Sequence, residues 1–130
     1  MSTTATDVVS IGQDIAELCR NGNFHEAVEK YYSPNIVSIE AQGSDEMPAR
    51  MEGIEAIRGK GEWWVENNEV HNVEVTGPFP KENQFVLNFK LDVTPKAGEM
   101  AGHRFTMEEA GLYTVEDGKI IQEEFFYSMG

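Results

Sequence analysis

The sequence predicts an α+β domain in which helices come first and an antiparallel sheet follows, covered on one face by those helices. Apolar residues recur every three to four positions in the first third of the chain, whereas the last half alternates apolar and polar residues between short turns. At 130 residues the chain has the size of one ordinary domain, so we predict a single domain spanning residues 1–130.

Three helices are predicted before the main run of strands. The first has an apolar stripe and ends at Gly22: Val8, Ile11, Ile15, Leu18 and Cys19. The second begins at Asn23, with Glu26 at capping-box spacing, and Pro34 stops it. The third, over residues 53–68, carries Ile54, Ile57, Gly61 and Trp64 on one side.

The strands are predicted from period-two alternation. A strand at 35–41 is followed by a polar loop at 42–52, and a strand at 70–76 places His71, Val73 and Val75 on one side before residues 77–83 break it. Residues 84–94 alternate most clearly, with five inward positions: Phe85, Leu87, Phe89, Leu91 and Val93. Residues 105–115 and 120–127 form a hairpin across a tight turn at 116–119.

The net charge narrows the class of binding partner, and the cysteine content bears on the cellular location. The formal net charge is -13, which repels phosphate backbones and anionic lipids, so we expect neither nucleic acid nor membrane partners. Cys19 has no partner for an internal disulfide and the first residues lack the pattern of a signal peptide, so we expect a cytoplasmic location. No spacing of His, Asp or Glu is typical of a metal site, and we expect neither a metal nor another cofactor.

Several local segments resemble the SnoaL-like branch of the nuclear-transport-factor-2-like superfamily. They are Asn-Gly-Asn-Phe after the first helix, Tyr-Ser-Pro-Asn before a strand, Glu-Gly-Ile-Glu-Ala-Ile-Arg-Gly opening the third helix, and Glu-Asp-Gly-Lys-Ile between the last strands. The resemblance implies a cone-shaped domain in which a bent antiparallel sheet wraps around three N-terminal helices and leaves a pocket. It implies isomerase, cyclase, dehydratase or epoxide hydrolase activity, or binding and dimerisation alone.

The steroid-isomerase pattern of that superfamily matches this chain only in part. Glu40 falls close to the position of the catalytic base near the end of the first strand. The tyrosine of the oxyanion hole is replaced by Ile15, and the aspartate position falls on Ala110 or Gly111, so Glu109 is a neighbour and not a match. The Asp-Arg-Asp arrangement of the epoxide hydrolases is not found in matching positions.

Glu109 is the carboxylate that most needs a functional explanation, because it interrupts an apolar face shared with Met107, Tyr113 and Val115. Burial there would raise its pKa and make it a proton donor near neutrality. The alternative is a register shifted by one residue, which would turn Glu109 to water and Glu108 inward.

Glu40 and His71 are the other two candidate acid or base residues. The apolar face of the Glu40 strand is formed by Val37 and Ile39, so an inward Glu40 requires a bulge near the strand end. His71 could pair with a pocket carboxylate or serve only as a structural residue.

The aromatic residues predict a pocket lining. Trp63 and Trp64 point in adjacent directions from one helix, so one is expected in the core and the other in a pocket or an interface. The predicted lining residues are Trp63, Trp64, Phe89 and Tyr113. An enclosed pocket where two of Glu40, His71 and Glu109 converge would favour an enzyme, and a pocket filled by side chains would argue against one.

We therefore expect a domain that binds an apolar small molecule, with cofactor-free isomerisation, cyclisation or dehydration as the candidate chemistry. The alternative is a non-catalytic dimer module whose exposed sheet face and aromatic C-terminus pack against a second copy. We also expect a homodimer as the state of the protein in general.

Overall fold

The computed structural model describes residues 5–45 and 47–128. The elements in chain order are α1 (Ala5–Arg20), α2 (Phe24–Tyr31), β1 (Tyr32–Ile39), β2 (Arg50–Glu52), α3 (Ile54–Asn67), β3 (Asn68–Lys81), β4 (Gln84–Pro95), β5 (Phe105–Glu116) and β6 (Lys119–Phe126). Three helices packed in a curled six-stranded sheet confirm the α+β cone that the sequence predicts.

The sheet is mixed, which corrects the expectation of an antiparallel one. Its strand order is β2-β1-β6-β5-β4-β3, and β1 runs parallel to β6 while every other neighbouring pair is antiparallel. Alternation along a strand indicates which face a residue occupies but carries no information on which strand lies beside it. The parallel pair matters because it brings the end of β1 beside the end of β6.

Two predicted loops contain strand. Residues 50–52, placed in a polar loop by the sequence, pair with β1 as the edge strand β2. Residues 77–83 do not end β3, which continues to Lys81 through a register shift between Thr76 and Phe79. Gly77 makes this shift possible, because its φ of 120° is rare for other residues and a Cβ there would lie 2.7 Å from the Val86 carbonyl oxygen.

The inner face of the sheet, which packs on the helices, is filled with apolar and aromatic side chains. The predicted inward residues of β4 are all buried. The Phe85 and Tyr113 rings stack with centroids 4.9 Å apart, and Phe125 packs against Tyr113 and Phe89 at 6.2 and 6.5 Å. Burial of each such ring contributes about 1.5–3 kcal/mol, so this cluster is a major part of the core.

The first helix confirms its predicted stripe. Four of the five expected apolar positions are buried: Val8, Ile11, Ile15 and Cys19. Gly22 has a φ of 77° and ends the helix, with its backbone N–H donating to the Cys19 carbonyl at 3.1 Å. Among the residues that the structure describes, no helix is long and apolar enough to cross a membrane.

Candidate active site

Three glutamates lie within the electrostatic reach of one lysine: Glu40 directly after β1, Glu109 within β5 and Glu123 within β6. We call Glu40, Glu109, Glu123 and Lys60 the carboxylate cluster. Its geometry follows from the face that each strand presents to the helices.

Glu40 points inward because the even-numbered residues of β1 occupy the inner face. Ile36 and Ser38 are fully buried, whereas Val37 and Ile39 are only partly buried. The expectation that Val37 and Ile39 form the inward face is therefore wrong, since β-branched residues also suit the outer face of a partly covered sheet. Glu40 follows the inward alternation directly, and no bulge at the strand end is needed.

Lys60 reaches the cluster from α3, one turn after the buried residue Ile57. Its ammonium donates hydrogen bonds to Ser38 Oγ at 2.9 Å and to the Glu40 carboxylate, and lies 5.3 Å from the centre of the Phe125 ring. The Tyr127 hydroxyl donates to the second Glu40 oxygen at 3.1 Å. Both oxygens of Glu40 are thus held by protein groups.

Glu123 is the most deeply buried acid of the cluster, with 4% of its surface exposed. It accepts hydrogen bonds from the Tyr32 hydroxyl and, at 2.7 Å, from Ser38 Oγ. Burial raises the pKa of Glu123, while the Lys60 charge and the two hydroxyl donors oppose that rise. Because Ser38 donates its only hydroxyl proton to Glu123, its oxygen lone pairs remain to accept from Lys60.

Sequence reasoning missed Glu123, Lys60 and Ser38. The strand pairing shifts register between Thr114 and Val115, so Ile120 and Glu123 are both buried although they are three positions apart and would alternate in a regular strand. Such a bulge breaks the period-two pattern on which the prediction relied. A usable signal existed for Lys60, which lies three residues after Ile57 on the predicted apolar stripe of α3.

Glu109 lies on the inner face, opposite buried Phe89, and is partly buried, whereas Glu108 is exposed. The pKa of Glu109 is raised from 4.5 to about 7, chiefly by desolvation and also by the negative charges of Glu40 and Glu123, while the Lys60 charge opposes the rise. Within residues 5–45 and 47–128, no group hydrogen-bonds to the Glu109 side chain. This carboxyl is therefore poised between its two protonation states at neutral pH.

The two positions that would form an oxyanion hole in the steroid-isomerase pattern are occupied by core packing. Ile15 is buried in α1. At Gly111, an added Cβ would lie 3.0 Å from both the Phe125 and the Tyr113 rings, so the aromatic cluster fills the space that a carboxyl would need. The protein cannot use that arrangement of donors.

His71 is not brought to the cluster. A register shift between Val70 and Asn72 removes it from the face of Val73 and Val75, which corrects the predicted grouping. The imidazole is exposed and its Nε2 lies 2.7 Å from Thr94 Oγ1.

Two open depressions lie on the surface. The first, of about 340 Å³, is lined by Asn88, Phe89, Glu108, Glu109, Ala110 and Phe126. Alternation places the side chains of Asn88, Ala110 and Phe126 on the outer face, away from the Glu109 carboxyl. The second, which we call the α1–α3 groove, has about 370 Å³ and lies between the C-terminal ends of α1 and α3 and the first half of β3.

The predicted lining residues are divided between these places. Trp64 lines the α1–α3 groove, Phe89 contributes to the first depression, and Tyr113 is buried in the aromatic core. Trp63 is 44% exposed and lines neither depression. The Phe125 and Tyr113 rings cover the inner face at Gly111, two residues from Glu109, and neither of these two depressions encloses Glu40 and Glu109 together. No group of three or more His, Cys, Asp or Glu residues in the described part of the chain is arranged to hold a metal ion.

Comparison with known proteins identifies the family. The SnoaL-like domain family matches residues 5–127. A Mesorhizobium loti structure, named as a candidate SnoaL-like polyketide cyclase with carbohydrate phosphatase in brackets, is 47% identical and superposes with a TM-score of 0.85 over 92% of this chain and 98% of that one.

Two more distant structures share the fold. An NTF2-like protein of unknown function from Burkholderia pseudomallei is 11% identical, with a TM-score of 0.77 over 94% of this chain and 91% of that one. An LEH-like epoxide hydrolase from M. tuberculosis is 12% identical, with a TM-score of 0.69 over 95% and 84%. A comparison with curated proteins gave no match. The sequence match over nearly the whole chain, together with the cone-shaped α+β fold, shows that this protein belongs to the SnoaL-like domain family.

Proposed function

We propose that this protein binds a small, largely apolar molecule at the carboxylate cluster and transfers protons on it without a cofactor, in an isomerisation, cyclisation or dehydration. The observation that carries the proposal is the Glu109 carboxyl, whose pKa of about 7 and lack of a hydrogen-bond partner among the described residues suit a general acid and base. The cyclase name of the Mesorhizobium loti relative supports the same chemical class.

The roles of the three acids differ in this proposal. Glu109 contacts the substrate and exchanges the proton. Glu40, held by Lys60 and Tyr127, supplies a fixed negative charge that raises the pKa of Glu109. His71 has no part, because its hydrogen bond to Thr94 lies outside the cluster.

The proposal also includes a cellular location and a single-domain acting unit. Cys19 is buried and unpaired, which supports a reducing compartment, and we place the protein in the cytoplasm. The acting unit is proposed to be a single domain that needs no metal.

Hydrogen–deuterium exchange into an enolisable apolar ketone tests the proposal without knowledge of the natural substrate. With 2-tetralone in D₂O, followed by ¹H NMR, we expect the protein to accelerate exchange next to the carbonyl. Glu109→Gln should remove roughly 10²–10⁴-fold of that acceleration, the usual contribution of a positioned acid or base. Glu108→Gln, which changes the exposed neighbouring carboxylate, is the matched control.

The proposal fails if Glu109→Gln exchanges 2-tetralone as fast as the unchanged protein does. It also fails if Glu108→Gln causes the same loss, because the effect would then arise from net charge and not from a positioned proton.

A second candidate function is a non-catalytic dimer module, favoured by the outer sheet face. Phe126 is 50% exposed there, beside the depression over Ala110 and next to partly buried Leu112. Analytical ultracentrifugation of Phe126→Glu tests it: dissociation of a wild-type dimer to monomers supports this surface, and a monomeric wild-type protein rules it out.

A further inference from the structure

The α1–α3 groove is a surface that the acid–base proposal does not use. Trp64 in its wall lies one helical turn beyond Lys60 on α3, so the groove adjoins the carboxylate cluster but is separate from it. Apolar side chains from three elements form the walls: Phe24, Trp64, Val65, Val70 and Val73. Its volume of about 370 Å³ falls within the range of small-molecule sites.

The charge of the groove differs from that of the rest of the protein. None of its eleven lining residues is Asp or Glu, although 23 of the 130 residues in the chain are acidic. Arg20 carries the full positive charge in the lining, which also contains the imidazole of His71 and three uncharged amides: Asn21, Asn68 and Asn72. The lining therefore favours a ligand that carries hydrogen-bond acceptors or a negative charge.

Arg20 is held in a fixed orientation. Its Nε and Nη2 donate to the Val75 carbonyl oxygen at 3.2 and 2.9 Å, and its Nη1 donates to Glu17 at 3.3 Å. A guanidinium has five N–H donors, so about two remain for a ligand. The ion pair between Arg20 and Glu17 joins exposed side chains and contributes little to stability. An incoming carboxylate therefore displaces Glu17 from Arg20 at a small cost in free energy.

Arg20 thus offers N–H groups to an anionic group, while Phe24 and Trp64 offer ring surfaces to an aromatic one. Asn72 lines the groove at β3, but its side chain lies on the opposite face of that strand from Val73, because Asn72 pairs with Asp92 and Val73 pairs with buried Leu91.

We propose that the α1–α3 groove binds a planar aromatic carboxylate, with its ring against Phe24 and Trp64 and its carboxylate on Arg20. This inference goes beyond the proposed acid–base function and does not depend on it. It predicts a preference among three matched probes that share one ring: 2-naphthoate, 2-naphthylmethanol and 2-naphthylmethylammonium.

The test is a titration of each probe followed through the two tryptophan indole N–H signals by ¹H–¹⁵N NMR, with Trp63→Phe used to assign them. We expect 2-naphthoate to shift the Trp64 signal saturably while the exposed Trp63 signal stays in place. The anion should bind at least tenfold tighter than the alcohol, roughly the value of one charge-assisted contact, and the cation should bind most weakly.

Two substitutions test whether the charge of Arg20, and not a general change in the protein, determines the affinity for 2-naphthoate. Arg20→Gln should weaken 2-naphthoate by roughly tenfold and leave 2-naphthylmethanol unchanged. Arg104→Gln, which removes an arginine paired with Asp92 outside the groove lining, is the control and should change neither probe.

Any of four results would overturn the proposal. The three probes could bind equally tightly, or the cation could bind most tightly. The NMR response could appear at Trp63 instead of Trp64, or 2-naphthoate could fail to saturate at millimolar concentration. An Arg20→Gln protein that binds 2-naphthoate as tightly as the unchanged protein would overturn it as well.

Discussion

Replacing Glu109 with Gln should stabilise the protein at pH 8 and much less at pH 5. Glutamine keeps the size of the side chain and removes its charge. The pKa of Glu109 is about 7 in the folded protein, against 4.5 for an ordinary glutamate. Between these two values the folded state binds more protons than the unfolded state, so the free energy of unfolding falls as pH rises through this window.

The magnitude follows from the size of the shift. Each pKa unit corresponds to about 1.4 kcal/mol, so the full shift costs the folded protein about 3 kcal/mol above pH 7. At pH 5 most of this cost is absent, because Glu109 is still protonated in the folded state and only partly ionised in the unfolded one. The stability gained by Glu109→Gln should therefore be about 2–3 kcal/mol larger at pH 8 than at pH 5.

Urea unfolding of both proteins at several pH values between 5 and 8 measures this difference. Each curve is fitted for the free energy of unfolding, and the difference between the two proteins is plotted against pH. Glu108→Gln serves as the control, because Glu108 is an exposed residue next to Glu109 and its substitution should give a flat difference. A ¹³C NMR titration of the Glu109 carboxyl gives its pKa directly.

A difference between wild type and Glu109→Gln that does not change with pH would refute this reasoning. It would mean that Glu109 is solvated like an ordinary surface glutamate and that the apolar neighbours and the charges of Glu40 and Glu123 do not act on it. Such a result would also refute the proposal that Glu109 serves as an acid and base near neutral pH.

Two further predictions concern packing and hydrogen bonding. Gly12→Ala should destabilise the protein by about 1–3 kcal/mol despite its better helix propensity, because the new Cβ would lie 2.7 Å from Pro78. Gly59→Ala, with no atom within 4 Å of the new Cβ, should instead stabilise by about 0.5–1 kcal/mol, and equal effects in urea unfolding would contradict the packing argument. Ser38→Ala should cost about 1–3 kcal/mol by removing one of the two buried hydroxyl donors to Glu123, whereas unchanged stability would show that water replaces it.

The fold could be predicted because its signals are local. The α1 stripe, the β4 alternation and the hairpin between β5 and β6 each depend on neighbours within a few residues, and each is confirmed. The parallel pairing of β1 with β6 joins residues about 85 positions apart, such as Ser38 and Glu123, and no local pattern reports it. The prediction of an antiparallel sheet was wrong for this reason.

The site could be predicted where a charge interrupts a regular strand, and not where the strand itself is irregular. The alternation of β5 correctly placed Glu109 on the inner face. The bulge in β6 concealed Glu123, and the register shift in β3 removed His71 from the face assigned to it. Both errors have one physical cause, since a single extra residue exchanges the two faces of every position beyond it.

The position of Glu109 also bears on how a substrate would bind. The resemblance implies a carboxyl at Ala110 or Gly111, and Gly111 is covered by the Phe125 ring. Glu109 lies two residues from Gly111 on the same face, which moves the acid about 7 Å along β5, away from the aromatic core. A substrate that reaches Glu109 therefore need not displace Phe125, and the aromatic cluster can remain packed as part of the core. The shift along the strand keeps an acid available although the Phe125 ring covers Gly111, and in the proposed function the substrate binds beside this acid, near Lys60 and Tyr127.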